Sequence, residues 1–326
     1  MAQRKTGTVV HKELISPALM RFRLAPEDGS QFPTYEAGQS IALRRDDCKL
    51  TRRNGVGQDG KPTCEPEFDP WGRQTVGPLT HSFSITSAPS DTSEHGWIEF
   101  FVGLDQGLHG LPGRLSEALF GTDTETGCDL TYYDAVTGTF TLDKMAQDAQ
   151  SVLMVGTGTG VAPFVSMLKT LQATSDGGDG RRYTLVHTSR TEVELGYQET
   201  LFEIEAAGRF DFMYIPTISR PSPNVTIDPR IGQGRASNVV RHIYCLPTAE
   251  EDKQTSAKSD VSRVAAELAL ARLVHPVLPR HLRVGELGER VDPAATVLLT
   301  CGNPASMADL RTTAGRRGVR FEVDEW

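Results

Sequence analysis

Between Val152 and Leu171 the chain reads VLMVGTGTGVAPFVSMLKTL, and the chemistry this stretch suits is the binding of a phosphate-rich ligand. Gly156, Gly158 and Gly160 lack a Cβ, so the backbone can take positive φ and bring its amides close to a pyrophosphate. Pro163 suits a first helical turn, and Phe164, Leu168 and Leu171 recur at helical spacing. A helix N-terminus with free N–H groups and a positive dipole end then faces whatever the loop holds. The usual Rossmann fingerprint has glycine at its first, third and sixth positions, whereas the sixth position here is Val161. No ribose-binding acid ends the next strand, since Tyr183 to His187 runs into Thr188, Ser189 and Arg190, and an arginine there suits a phosphate. The same glycines also suit a tight strand-to-helix turn that holds nothing, and the loop alone gives the two readings similar weight.

Two other clusters carry polar chemistry. HSFSITSAP, from His81 to Pro89, alternates polar and apolar residues and ends at a proline, so its short hydroxyls either face a flat ligand or line the exposed side of an ordinary strand. GRLSEAL, from Gly113 to Leu119, follows Pro112, and its Leu115 and Leu119 begin a short helix. Its N-terminus is a second candidate anion position, with a fixed charge on Arg114 and a hydroxyl on Ser116; a capped linker helix has the same signature. The five cysteines, at 48, 64, 128, 245 and 301, show no CxxC spacing. That disfavours an iron–sulfur cluster, a structural zinc and a disulfide framework, and no metal site is expected.

These residues need scaffolds to hold them. At 326 residues the length favours two domains. A net charge of −8 argues against general nucleic-acid binding, and no apolar run approaches the length of a membrane span. The N-terminal MAQRKTGTVV carries charge without an apolar core, which points to a cytoplasmic location. From Gly7 onward GTVVHKEL, ALMRFRLA, QSIALRR, HSFSITS, WIEFFVGL and TFTLD read as strands of an antiparallel barrel or sandwich. From Val152 strands alternate with helices: VLMVG, the helix after Pro163, YTLVH, a helix through Tyr197 and Phe202, FDFMYIP, a helix near Val239, TVLLTCG and a last helix from Ala305. Such alternation predicts a parallel sheet with helices on both faces. The expected architecture is therefore an α+β two-domain chain. An antiparallel β-barrel domain at 1–146 has an unreadable insert at about 46–78, and an α/β, Rossmann-like domain at 147–326 has an insert at about 249–285. Within the latter, Val264, Leu268 and Leu270 mark an added helix.

Taken in order, HSFS at 81–84, GRLSEAL at 113–119, GTGTGVAP at 156–163 and CGNP at 301–304 resemble the motif series of the ferredoxin-NADP reductase superfamily of flavoproteins. HTSRTEVELGY around Arg190, YIPTISR ending at Arg220, GRASNVV from Gly234 and the terminal FEVDEW resemble its bacterial ferredoxin and flavodoxin reductases. The resemblance covers most of the chain. It implies FAD on the barrel, held through His81, Phe83, Ser84, Ile85, Gly113, Arg114, Leu115, Ser116 and Trp326. It implies NADP(H) on the second domain, held through Thr157, Gly158, Thr159, Gly160, Arg190, Ser219, Arg220, Arg235, Cys301, Gly302 and Asn303. Ser84 near flavin N5, Cys301 and Thr157 beside the nicotinamide, and Trp326 stacked on the flavin until NADPH displaces it, would carry the chemistry. His81 and Phe83 depart from the family's Arg-x-Tyr-Ser, removing a permanent charge and a phenol. The GRLSEAL match and the length of the barrel half favour FAD over FMN. Three arginines in the positions that grip a 2′-phosphate and pyrophosphate favour NADP over NAD.

The implied activity is hydride transfer between NADPH and FAD, with single electrons exchanged with ferredoxin or flavodoxin. The basic run Arg44, Arg45, Lys49, Arg52 and Arg53 would dock such an acidic carrier. The alternatives are a reductase for an oxygenase or other acceptor, and a flavin-binding electron-transfer or regulatory subunit without its own turnover. The oligomeric state is not legible.

Overall fold

The structure, a computed structural model, describes residues 2–57, 62–105, 114–122, 129–174, 179–222 and 226–324. The chain forms two compact units, Met1–Thr139 and Phe140–Trp326. The boundary falls earlier than the 146/147 expected, because Phe140 packs edge-on against Phe164 (5.8 Å between ring centroids) and so belongs to the second unit.

The first unit contains β1 (Arg4–Ser16), β2 (Leu19–Pro26), β3 (Ser40–Lys49), β4 (Thr51–Val56), β5 (Pro62–Pro66), β6 (Val76–Ser84), α1 (Pro89–His95), β7 (Ile98–Gly103), α2 (Arg114–Phe120) and β8 (Asp129–Thr137). Six strands form one antiparallel sheet in the order β6-β3-β8-β1-β2-β7. A bridge between Ile85 and Phe100 joins the two ends of this order and curls the sheet into a barrel. Alternate residues of β2, β3, β7 and β8, among them Phe22, Leu24, Ile41, Leu43, Ile98, Phe100, Leu130 and Tyr132, fill the interior. TFTLD is not a strand. Gly138, at φ +97°, ends β8, and Leu142–Met145 is one helical turn (α3). The strand of this region is DLTYYDAVT, 129–137, whose Leu130 and Tyr132 are fully buried. The segment at 46–78 holds the β4–β5 hairpin, exposed along almost all of β4.

The second unit continues with β9 (Ser151–Thr157), a 3₁₀ turn (Gly158–Val161), α4 (Ala162–Thr174), β10 (Arg182–Ser189), α5 (Gln198–Ala207), β11 (Asp211–Ile218), β12 (Gly232–Gln233), α6 (Ala236–Ile243), α7 (Ala249–Ser256), α8 (Asp260–Leu270), α9 (Val284–Arg290), β13 (Thr296–Cys301), α10 (Pro304–Arg317) and β14 (Arg320–Val323). Its six strands are parallel, in the order β12-β11-β10-β9-β13-β14. The central strands are buried on both faces, which is why they read as continuous apolar runs. The segment at 249–285 supplies α7, α8 and a chain that returns to the sheet: Gln233 and Val277 exchange both backbone hydrogen bonds (2.7 and 2.9 Å).

Candidate functional site

The strand order of the second unit reverses at β9. The chain leaves it toward β10, β11 and β12 on one side and returns as β13 and β14 on the other. In such sheets ligands lie outside the carboxyl ends of the strands at the reversal. Here those ends are Thr157 of β9 and Cys301 of β13, with Gly156 and Cys301 paired in register. The two loops that follow interlock. A Cβ on Gly160 would collide with the Cys301 carbonyl and the Gly302 Cα, both backbone. Gly302 sits at φ +123°, and a side chain there would strike the Thr157 hydroxyl. The Asn303 amide donates to Thr157 Oγ1 at 2.8 Å, which ties the glycine loop to the start of α10. Asn303 is occupied as a helix cap, its Oδ1 accepting from the amides of Ala305 (3.0 Å) and Ser306 (3.2 Å). A surface of bare backbone, with Gly158 at φ +56° and open space where its side chain would be, is what a dinucleotide's phosphates need.

The three arginines stand on adjacent strand ends. The Arg220 amide donates to the Arg190 carbonyl and the Ser219 amide to the Ser189 carbonyl, both at 2.9 Å, and the Gly234 amide to the Ile218 carbonyl at 2.9 Å. Arg190, Arg220 and Arg235 are all exposed there, while Ser219 turns its hydroxyl back to the Ser189 carbonyl (3.2 Å). Two carboxylates share this face. Glu194 Oε2 accepts from the Arg190 amide (3.2 Å), and Glu250 Oε1 accepts from Arg235 Nη1 (3.3 Å). Sequence reasoning found neither acid, because neither stands at the spacing of the expected ribose ligand.

Cys301 ends β13 fully buried, and its thiol donates to Asp324 Oδ2 (3.7 Å). Burial and the facing carboxylate hold the thiol well above the ordinary cysteine range, so it stays protonated. Burial also raises the Asp324 carboxyl, an effect the thiol hydrogen bond opposes. Asp324 was hidden in the terminal FEVDEW, 23 positions from its partner. Beside this pair opens a groove of about 520 Å³ lined by Gly302, Pro304, Met307, Arg311, Phe321 and Asp324, among others.

In the barrel, His81 is exposed, Phe83 is half-buried against the core with an edge contact to Phe100 (6.5 Å), and Ser84 and Ile85 are buried. Leu115 is a core residue, and the Ser116 hydroxyl accepts from the Asp105 amide at 3.0 Å. Arg114 opens α2 and is partly exposed. Gly113 and Trp326 lie outside the described residues. The basic run does not form a bare positive patch: Arg44 pairs with Asp46, Arg45 with Asp47, Lys49 with Glu117 and Arg52 with Glu65. Among the described residues no cluster of potential metal ligands occurs, and no helix is long and apolar enough to cross a membrane.

Residues 154–268 match the family model of the oxidoreductase NAD-binding domain. The reductase component of propane 2-monooxygenase from Mycolicibacterium goodii is 28% identical over 171 residues, covering 52% of this chain and 44% of that protein, so the match spans less than half of its relative. Among solved structures, a ferredoxin NADP+ reductase from Neisseria gonorrhoeae with bound FAD and NADP superposes with a TM-score of 0.57 at 18% identity, over 99% of both chains. An Amycolatopsis cytochrome P450 reductase gives 0.58 at 17% identity over 99% of this chain and 70% of its own. The chain has the two-domain fold of the ferredoxin-NADP reductase superfamily, as its motif order led us to expect.

Proposed function

We propose that this chain is a flavin-dependent reductase that takes hydride from NADPH and exchanges single electrons with ferredoxin or flavodoxin. The observation that carries the reading is the interlocked, glycine-rich loop pair at the sheet reversal, flanked by three exposed arginines on neighbouring strand ends. Arg190, Arg220 and Arg235 would hold the 2′-phosphate and pyrophosphate by charge-assisted bonds, each contributing about 1.5–3 kcal/mol. The amides of Gly158 to Gly160 would donate to the pyrophosphate. Thr157, fixed by the Asn303 amide, and the backbone of Cys301 and Gly302 would orient the nicotinamide. Ser84, His81, Phe83, Ile85 and the Arg114–Ser116 turn would hold FAD on the barrel. When bound, the flavin supplies the conversion of a two-electron donor into single electrons. The protonated Cys301 thiol would not act as a nucleophile; it would donate to Asp324 and set the position of that carboxyl beside the nicotinamide loop.

A second reading, the reductase component of an oxygenase, is favoured by the similarity to the propane monooxygenase reductase component and by the pairing of Arg44, Arg45, Lys49 and Arg52 with carboxylates. Anaerobic rapid mixing of the purified holoprotein with NADPH tests the shared core of both. Bleaching of a flavin spectrum within seconds is expected, and a flavin that NADPH leaves oxidised would refute turnover. Steady-state reduction of ferredoxin and flavodoxin, compared with direct transfer to an oxygenase component, separates the two acceptors.

A further inference from the structure

We infer that Glu250 is a specificity-determining residue: by pairing with Arg235 it weakens the grip on a ribose 2′-phosphate and lets NADH compete with NADPH. The inference rests on reading Arg235 as a phosphate-binding group. The pair is asymmetric, since the Arg235 side chain is 68% exposed whereas that of Glu250 is only 8% exposed. Glu250 is held from both sides. Its Oε1 accepts from Arg235 Nη1 at 3.3 Å, and its Oε2 accepts from Asn238 Nδ2 at 2.8 Å. Asn238 is fixed in turn, because its Oδ1 accepts from the Ala249 amide at 2.9 Å.

The helix that carries Glu250 is also pinned. Thr248 caps α7 in a reciprocal arrangement with Glu251, so the neighbouring acid is used up in the cap and Glu250 is left to face α6. Arg241 of α6, almost fully buried, binds Asp252 of α7 (2.5 Å), Asp309 of α10 (2.6 Å) and the Pro247 carbonyl (3.0 Å). Arg316 of α10 also binds Asp252. The carboxylate therefore cannot swing away when an anion arrives. A 2′-phosphate bound to Arg235 would sit close to a buried negative charge that salt screens poorly. Arg190 and Arg220 carry no side-chain ion pair among the described residues, Glu194 binding the Arg190 amide and not its guanidinium, so the direct pairing falls on one arginine of the three. One Nη1 bond leaves Arg235 other donors, and its phosphate contact is tempered, not abolished.

Calorimetric titration of the holoprotein with 2′,5′-ADP and with 5′-AMP, alongside anaerobic flavin reduction by NADPH and NADH, provides the test. In Glu250→Gln the affinity for 2′,5′-ADP should rise about five- to tenfold with 5′-AMP unchanged, and the NADPH-to-NADH efficiency ratio should rise in parallel. Glu250→Asp, which keeps the charge, should stay near the wild-type ratio, separating charge from packing should the Gln variant be poorly folded. Adding Glu250→Gln to Arg235→Ala should change neither quantity. An unchanged or lower 2′,5′-ADP affinity in Glu250→Gln, or a full gain that persists without Arg235, overturns the inference while leaving the nucleotide site intact. Wild-type protein that binds neither 2′,5′-ADP nor 5′-AMP overturns the underlying reading and the inference with it.

Discussion

Single residues at the sheet reversal have little room to vary. Gly160 lies against the backbone of Cys301 and Gly302, and backbone cannot move aside as a side chain can. Gly160→Ala should therefore destabilise the protein by about 1–3 kcal/mol and weaken 2′,5′-ADP binding, read by denaturant unfolding and calorimetry. The buried His187 makes a different demand. Its Nδ1 pairs with the Tyr214 hydroxyl (3.1 Å), its Nε2 has no hydrogen-bond partner among the described residues, and burial depresses its pKa to about 3. A histidine neutral in the fold but protonated in the unfolded chain below about pH 6.5 gives stability that is full above that pH and lost as pH falls toward 3. The loss should run at about 1.4 kcal/mol per pH unit, or about 2 kcal/mol between pH 7.5 and 5. Urea unfolding at those two values should show that slope in the wild type and much less of it in His187→Gln.

At the scale of elements, the decisive feature is how α7 is fastened to α6 and α10. Arg241 faces Asp252 and Asp309 with 3% of its side chain exposed, so removing it leaves Asp309 without this partner and Asp252 with Arg316 alone. Arg241→Ala should cost about 3–5 kcal/mol, whereas Arg316→Ala, at the more exposed end of the network, should cost about 1 kcal/mol or less. Guanidinium titrations of the two variants would check the ranking; equal losses would mean that the network is not centred on Arg241. The parallel strands were legible because their burial on both faces demands unbroken apolar runs such as VLMV and TVLL. The β4–β5 hairpin was not, since β4 is exposed along almost all of its length, no residue of either strand is fully buried, and no apolar alternation results. Strand 129–137 was missed in favour of TFTLD because only Leu130 and Tyr132 of its nine residues carry the buried face.

For the molecule as a whole, each unit has its own apolar core: Val9 to Tyr132 in the barrel, and Leu153 to Val319 in the α/β unit. A fragment comprising residues 140–326 should fold cooperatively and retain binding to 2′,5′-ADP, as judged by circular dichroism and calorimetry. A fragment that stays unfolded would mean that the second core is not self-sufficient.

The sequence alone determined what is local and periodic: the strand–glycine turn–helix unit and the main alternation of strands and helices after Val152, whereas the short or exposed β12, α7, α9 and β14 emerged only in the structure. The local and periodic features follow from short-range sterics and from which faces must be dry, and both are written in consecutive residues. Tertiary structure decided which charges meet. Glu250 reaches Arg235 across 15 positions, and Asp324 reaches Cys301 across 23. No spacing rule connects such pairs, because it is the side-chain bonds that tie α7 to α6 and the parallel pairing of β14 with β13 that bring them within bonding distance.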